Sequence, residues 1–93
     1  MKSELEKHNN INKNSIYKRL NIIEGQVSGV KKMIEDNRNL EEVLIQIQSI
    51  NNAVKSLSDL LLDDYSYGLL ISEYEKGNFS VIDKVSKMYK KFK

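Results

Sequence analysis

The spacing of apolar residues constrains this chain more than any other feature of its sequence. Two long segments carry apolar side chains at steps that alternate between three and four residues. An α-helix has 3.6 residues per turn, so such steps place the side chains on one helical face. The first stripe comprises Ile16, Leu20, Ile23, Val27, Val30 and Ile34, and the second comprises Leu40, Val43, Leu44, Ile47, Ile50, Val54, Leu57 and Leu61. No segment has the alternating pattern of a half-buried strand, and the sequence therefore predicts an all-α protein.

Polar residues and glycine predict where these helices begin and end. Asn14 or Ser15 is suited to cap the first helix, and the polar run 36–39 should end it. Gly77 fits the end of the second helix, and Ser80 resembles the start of a capping box for a short third helix. We expect a flexible N-terminal arm over residues 1–13, followed by a single helical domain over residues 14–93. Its helices should span about 15–37, 39–75 and 80–92.

The second helix should be too long for the rest of one chain to cover. At 1.5 Å per residue it would extend over roughly 50 Å. A single first helix and a short third helix would leave part of its apolar stripe exposed, which favours pairing with another subunit. We therefore expect a protomer of three helices with a long second helix. Two protomers should form an antiparallel four-helix-bundle dimer, and a dimer of dimers is the expected assembly.

Missing residue types exclude several classes of site. The chain has no Cys, which excludes a disulfide framework, a thiolate metal site and a cysteine nucleophile. Its single His is His8, so no multi-histidine site can form within one chain. The longest apolar run has three residues and the N-terminus lacks the apolar core of a signal peptide. We expect a cytoplasmic protein with no membrane contact and no cofactor.

Charge is distributed unevenly along the chain although the formal net charge is only +2. Residues 1–32 are basic, residues 33–75 are acidic, and residues 76–93 contain six Lys and one Asp. Lysine-rich segments of this kind usually form solvated surface. They bind phosphate only where the fold gathers them.

The segment from Arg19 to Ile50 resembles the CsoR/RcnR/FrmR family of small bacterial transcriptional repressors. The residues that carry the resemblance are Arg19, Leu20, Ile23, Glu24, Gly25, Gln26, Val27, Gly29, Met33, Ile34, Glu35 and Asp36. Similarity continues to about Asn78, so the predicted domain is CsoR-like over most of its length. The resemblance implies three-helix protomers that form four-helix-bundle dimers and tetramers. It also implies that the first two helices bind double-stranded operator DNA, and that a metal ion or an electrophile releases it.

Candidate DNA-binding residues follow from helical geometry taken together with this resemblance. Lys18, Gly25, Gly29 and Lys32 fall opposite the apolar stripe of the first helix, with Arg19 and Lys31 toward its flanks. The two glycines would admit either a phosphate backbone or a closely packed helix. On the second helix the resemblance points to Lys55 and, more weakly, to Asn51. The full candidate set is Lys18, Arg19, Gln26, Lys31, Lys32, Asn51 and Lys55.

The family's effector ligands are Cys and His residues, and this sequence departs from that pattern. The corresponding positions are Leu40, Tyr65 and Leu69. Leucine offers no donor atom, and a neutral phenol is a poor ligand for Cu(I) or Ni(II). His8 aligns approximately with an N-terminal histidine of the nickel- and cobalt-responsive branch, but it cannot build that site alone. The sequence therefore predicts that the usual metal site is absent.

Two interpretations of this altered region remain open. In the first, these side chains have become part of the packed core, and the protein either does not respond to an effector or is regulated at another site. Alternatively, a cleft formed by Leu40, Tyr65, Tyr67 and Leu69 binds a nonmetal organic effector of unknown identity, with a tyrosine hydroxyl contributing.

Two other functional classes compete with a repressor. Helical chorismate mutases have a similar size, but they bind dicarboxylates through several guanidinium groups, and this chain has two arginines, Arg19 and Arg38. No acid–base constellation can be placed in a cleft, so we do not expect an enzyme. A helical interaction module that forms hetero-oligomers with a paralogue, without binding DNA itself, is the main alternative. We expect a DNA-binding repressor of the CsoR type without the usual metal site.

Overall fold

A computed structural model describes residues 13–93 of the chain. These residues form three helices, which we label α1 (Lys13–Glu35), α2 (Leu40–Glu75) and α3 (Val81–Phe92). Residues 13–93 contain no strand, and the prediction of three helices with a long second one is confirmed. Apart from Lys13, the predicted N-terminal arm lies outside the described residues, as does His8.

The described chain divides into two compact units, one of which is Asn14–Leu57. This unit contains most of α1 and the first half of α2, with Val43 and Leu57 buried. Gln26 of α1 reaches α2, where its Nε2 donates to Ser49 Oγ at 3.5 Å. Much of the apolar surface of this unit is exposed, because two helices alone cannot enclose both stripes.

The second unit includes Ser58–Lys93, which comprises the rest of α2 and all of α3. Leu62 of α2 and Val81 and Val85 of α3 are buried here. The two valines are four residues apart, so they lie on the same face of α3, and this face packs on α2. The polar face of α3 is left to solvent.

In both connections between helices the second residue lies in the left-handed region. Asn37 has a φ of 56° and Gly77 a φ of 77°. At each turn two backbone hydrogen bonds close the end of the helix. The longer-range bond runs from Arg38 N to Met33 O at the first turn and from Asn78 N to Glu73 O at the second, and both measure 2.9 Å. This is the Schellman arrangement, which satisfies carbonyls that would otherwise lack partners. The predicted ends of α1 and α2 therefore have a specific backbone cause.

The N-terminal caps differ in part from those expected. Asn39 caps α2, because its Oδ1 accepts from Glu41 N at 2.7 Å. Ser80 occupies the cap position of α3 as predicted, but its hydroxyl makes no capping hydrogen bond. The hydroxyl donates instead to Asn78 Oδ1 at 2.6 Å, so the predicted capping box does not form. Ser15 and Asn14 lie inside α1, which already includes Lys13, and the prediction that either caps this helix was wrong.

Within residues 13–93, no helix is both long enough and apolar enough to cross a membrane.

Candidate nucleic-acid interface and effector region

The outer face of α1 carries two lysines and two glycines. Lys18, Gly25, Gly29 and Lys32 are separated by seven, four and three residues, which places them on one side of the helix. All four are exposed, whereas the half-buried residues of α1 lie on the opposite stripe. The face therefore carries one lysine near each end and two glycines between them, with the exposed side chain of Ile22 beside the glycines.

The two glycines of this face are not required for packing within the described chain. A Cβ atom built at Gly25 or Gly29 meets no other atom within 4 Å. Glycine in a helix interior costs roughly 0.5–1 kcal/mol relative to alanine. The space beside the glycines is consequently open to an approaching backbone from outside the chain.

Arg19 and Gln26 lie closer to α2 than the outer face does. Arg19 lines a shallow groove of about 120 Å³ together with Ile22 and Ile23 of α1 and Ala53 of α2. Gln26 is half-buried and donates to Ser49 as described above, while its Oε1 is buried without a hydrogen-bond partner. Gln26 therefore contributes first to the contact between α1 and α2.

Asn51 and Lys55 point away from α1. Ala53 lies beside α1 in the groove that Arg19 lines, and residues two positions apart project to nearly opposite sides of a helix. Asn51 and Lys55 are both exposed. Within one chain, Asn51 and Lys55 therefore do not lie beside the outer face of α1. Lys31 lies on the flank of α1 rather than on that face.

The positions that correspond to the family's effector ligands hold no strong donor atoms. Leu40 begins α2 and is 71% exposed, whereas Tyr65 and Leu69 are half-buried and lie one turn apart near the other end of this helix. Among residues 13–93, no group of three or more His, Cys, Asp or Glu could hold a metal ion. The side chains at these three positions do not fit a Cu(I) or Ni(II) site.

Tyr67 lines an apolar groove of about 380 Å³ between α2 and α3. Tyr74 and Phe79 form one end of it, with ring centroids 5.5 Å apart in an edge-to-face arrangement. The other lining residues are Leu70, Ile71, Glu75, Val81 and Ile82. Leu69 lines a different and smaller groove, together with Glu73 and Lys84. Tyr67 and Leu69 therefore belong to separate concavities within this unit, although both were predicted for one cleft.

Sequence reasoning did not identify the aromatic end of this groove. Tyr74 and Phe79 flank the turn at Gly77, and this local signal could have indicated that the two rings meet when the chain reverses there. Val81 and Ile82 line the groove together with Tyr67, and this proximity depends on how α3 packs on α2.

A polar contact holds the C-terminal part of α3 on α2. Tyr89 donates its hydroxyl hydrogen to Asp63 Oδ1 at 2.5 Å, and Lys93 Nζ lies 3.8 Å from the same oxygen. The hydrogen bond to the Asp63 carboxylate raises the pKa of Tyr89 above its ordinary value of 10.0, and burial raises it further.

The chain is similar to known transcriptional repressors. A family model described as metal-sensitive transcriptional repressor matches residues 12–91. The copper-sensing transcriptional repressor CsoR of Bacillus subtilis (strain 168) is 32% identical over 81 residues, which is 86% of this chain and 80% of that protein. The copper-sensing transcriptional repressor RicR of Mycobacterium tuberculosis (strain ATCC 25618 / H37Rv) is 40% identical over 53 residues, 57% of this chain and 55% of that protein. No solved structure gives a significant match.

Proposed function

The chain belongs to the family of metal-sensitive transcriptional repressors, and from this membership we propose that it represses transcription by binding operator DNA. At the level of the family this supports a repressor rather than an enzyme. The observation that carries the proposal for this chain is the outer face of α1. Its exposed lysines and open glycines are suited to a phosphate backbone, which supplies most of the affinity in protein–DNA complexes.

The proposed DNA surface needs more than one copy of the chain. Lys18, Arg19, Lys31 and Lys32 belong to α1, whereas Asn51 and Lys55 project from the opposite side of α2. A dimer or tetramer would repeat both sets and could align α1 of one protomer with Lys55 of another. Multivalent contact would also compensate for the small number of positive charges per chain. Gln26 stays in the candidate set as a residue that positions α1 on α2.

We further propose that this protein does not use the Cys and His site of its family. The copper-sensing relatives are named for their metal, but Leu40 and Leu69 carry no donor atom here, and Tyr65 offers a phenol. A cytoplasmic repressor with these residues requires a different effector or none. If an organic effector exists, the groove beside Tyr67 is large enough for a small apolar molecule.

The test is fluorescence anisotropy of the purified protein on DNA from upstream of its own gene, across a salt series. We expect specific binding that weakens steeply with salt and is not relieved by Cu(I), Ni(II) or Zn(II). The double variant Arg19→Ala/Lys32→Ala should lose specific binding while keeping its helicity and assembly mass. Metal-relieved binding would contradict the proposal about the effector, with His8 the first residue to replace.

The matched control is Arg38→Ala/Lys76→Ala, which also removes one arginine and one lysine. Arg38 pairs with Glu42 at 2.8 Å and Lys76 with Glu73 at 3.7 Å, and neither residue belongs to the candidate set. The control should bind DNA like the unmodified protein. Equal losses in the two double variants would show that net charge matters and the surface does not.

A further inference from the structure

We propose that α3 carries a second DNA-contacting surface, a row of lysines that binds the phosphate backbone in addition to the operator contacts proposed for α1 and α2. The row consists of Lys84, Lys87 and Lys91, with Lys90 adjoining it. This inference rests on the proposed function and extends it to a helix that neither the sequence pattern nor the family comparison had assigned to DNA.

Helical spacing aligns the row. Lys84, Lys87 and Lys91 are separated by three and four residues, so they lie along one side of α3, over roughly 10 Å at 1.5 Å per residue. All three are exposed, and the Lys87 side chain is 75% exposed. A row of this length can face several phosphates of one DNA strand, because the phosphates of a strand repeat about every 3.4 Å along the axis of the double helix.

The charge of the row is mostly uncompensated within residues 13–93. Lys87 Nζ pairs with Asp83 at 3.1 Å, but both side chains are largely exposed, and such a pair is weak. Lys91 lies 5.3 Å from the centroid of the Phe92 ring, which leaves its charge unneutralised. Lys84 shares a shallow groove with Glu73, whose two carboxylate oxygens already contact Lys76 and Asn78.

The packing of α3 favours DNA over a membrane surface as the partner of this row. A basic amphipathic helix binds membranes by inserting its apolar face, so that face must be free. Here Val81 and Val85 are buried against α2, and Tyr89 is hydrogen-bonded to Asp63. The polar side of α3 remains available, and a phosphate backbone requires nothing more than a row of accessible positive charges. Residues 76–93 contain six Lys and one Asp, so the whole segment is complementary in charge to the phosphate backbone.

The experiment compares two double variants that each remove two positive charges from this segment. Lys84→Gln/Lys91→Gln removes the ends of the row, whereas Lys76→Gln/Lys93→Gln removes lysines that lie near Glu73 and Asp63. Each is titrated onto the upstream DNA and onto a scrambled duplex across a salt series. We expect the row variant to bind both DNAs about tenfold more weakly, with a salt slope smaller by up to about 1.8 per bound chain.

The ratio of operator to scrambled affinity and a variant that keeps the charges provide two further checks. Phosphate contacts carry no sequence information, so the ratio of operator to scrambled affinity should stay constant. Lys84→Arg/Lys91→Arg should restore binding because it keeps both charges. Circular dichroism should show equal helicity in all variants, since the replaced side chains are exposed.

Three results would overturn this inference in distinguishable ways. If the unmodified protein fails to bind the upstream DNA, the proposed function fails and the inference fails with it. If the unmodified protein binds but the row variant keeps the affinity and salt slope of the Lys76/Lys93 control, the row does not contact DNA and the proposed function stands. Loss of binding to phosphatidylserine vesicles by the row variant, with DNA binding intact, would likewise reject DNA as its partner.

Discussion

A single hydrogen bond links the end of α3 to α2 through a titratable donor. Tyr89 donates to the carboxylate of Asp63, and this partner raises the pKa of the Tyr89 phenol. A raised pKa means that the folded protein holds the phenolic proton more tightly than the unfolded chain does. The contact therefore stabilises the fold below pH 10.0, and its contribution is lost as pH rises through the pKa of the folded state.

Tyr89→Phe should accordingly change how stability depends on alkaline pH. We expect the unmodified protein to lose stability more steeply than the variant as the pH rises above 10.0, because the variant has no proton to lose at this position. Urea denaturation followed by circular dichroism at several pH values measures the difference. Parallel pH profiles for the two proteins would show that the hydrogen bond does not contribute in solution.

At the scale of a helix, α1 contains two glycines that weaken it and that packing among residues 13–93 does not require. Gly25 and Gly29 have open space where a side chain would lie, in contrast to Gly77, whose φ of 77° favours glycine over residues with a Cβ atom. Glycine costs helix stability, so its presence at two exposed positions of the outer face needs a reason outside the protomer.

Replacing both α1 glycines should change the stability of the fold and its affinity for DNA in opposite directions. Gly25→Ala/Gly29→Ala should raise the free energy of unfolding by roughly 1–2 kcal/mol, because alanine is the better helix former. We expect the same variant to bind operator DNA several-fold more weakly, because two methyl groups would obstruct the backbone. Thermal denaturation and anisotropy measure the two effects.

Gly77→Ala is the matched control, since it adds one methyl group at a left-handed position. It should lower stability and leave DNA affinity unchanged. Full DNA affinity in the α1 double variant would argue against DNA beside the glycines. A loss of assembly mass would assign them to contact between subunits.

For the whole molecule, the important feature is an apolar face of α2 that residues 13–93 leave exposed. Leu40, Leu44, Ile47 and Val54 recur at steps of four, three and seven, and all four are exposed. Exposed apolar side chains that form a contiguous stripe usually mark a protein–protein interface. This face supports the proposed pairing of protomers through α2.

Neighbouring residues on α2 provide a test of that pairing. Leu44 is 57% exposed and belongs to the uncovered stripe, whereas Ile45 is 59% exposed and points about 100° away from it. We expect Leu44→Glu to dissociate the assembly to monomers, because a carboxylate would be buried at the interface. Ile45→Glu should keep the assembly mass. Sedimentation velocity distinguishes these outcomes, and an unchanged mass for Leu44→Glu would place the interface elsewhere.

The sequence by itself determined the helices, because helix formation depends on local spacing and local turn chemistry. The apolar steps predicted the two long helices, Ser80 marked the start of the third, and residues 36–39 and Gly77 marked both turns. The sequence also shows that Leu40 and Leu69 carry no donor atom and that Tyr65 carries a phenol, since donor chemistry belongs to the side chain itself. That these residues replace the family's ligands stays a prediction. The domain boundaries and the site residues stay predictions.

The tertiary structure decided which residues meet across helices, because such contacts join positions far apart in the chain. Gln26 reaches Ser49, and Tyr89 reaches Asp63. Ser80 directs its hydroxyl to Asn78 rather than to its own helix. Packing of α3 on α2 buries Val81 and Val85 and leaves the lysines of the basic C-terminal segment exposed. Local spacing specifies which face a residue belongs to, but packing specifies what that face contacts.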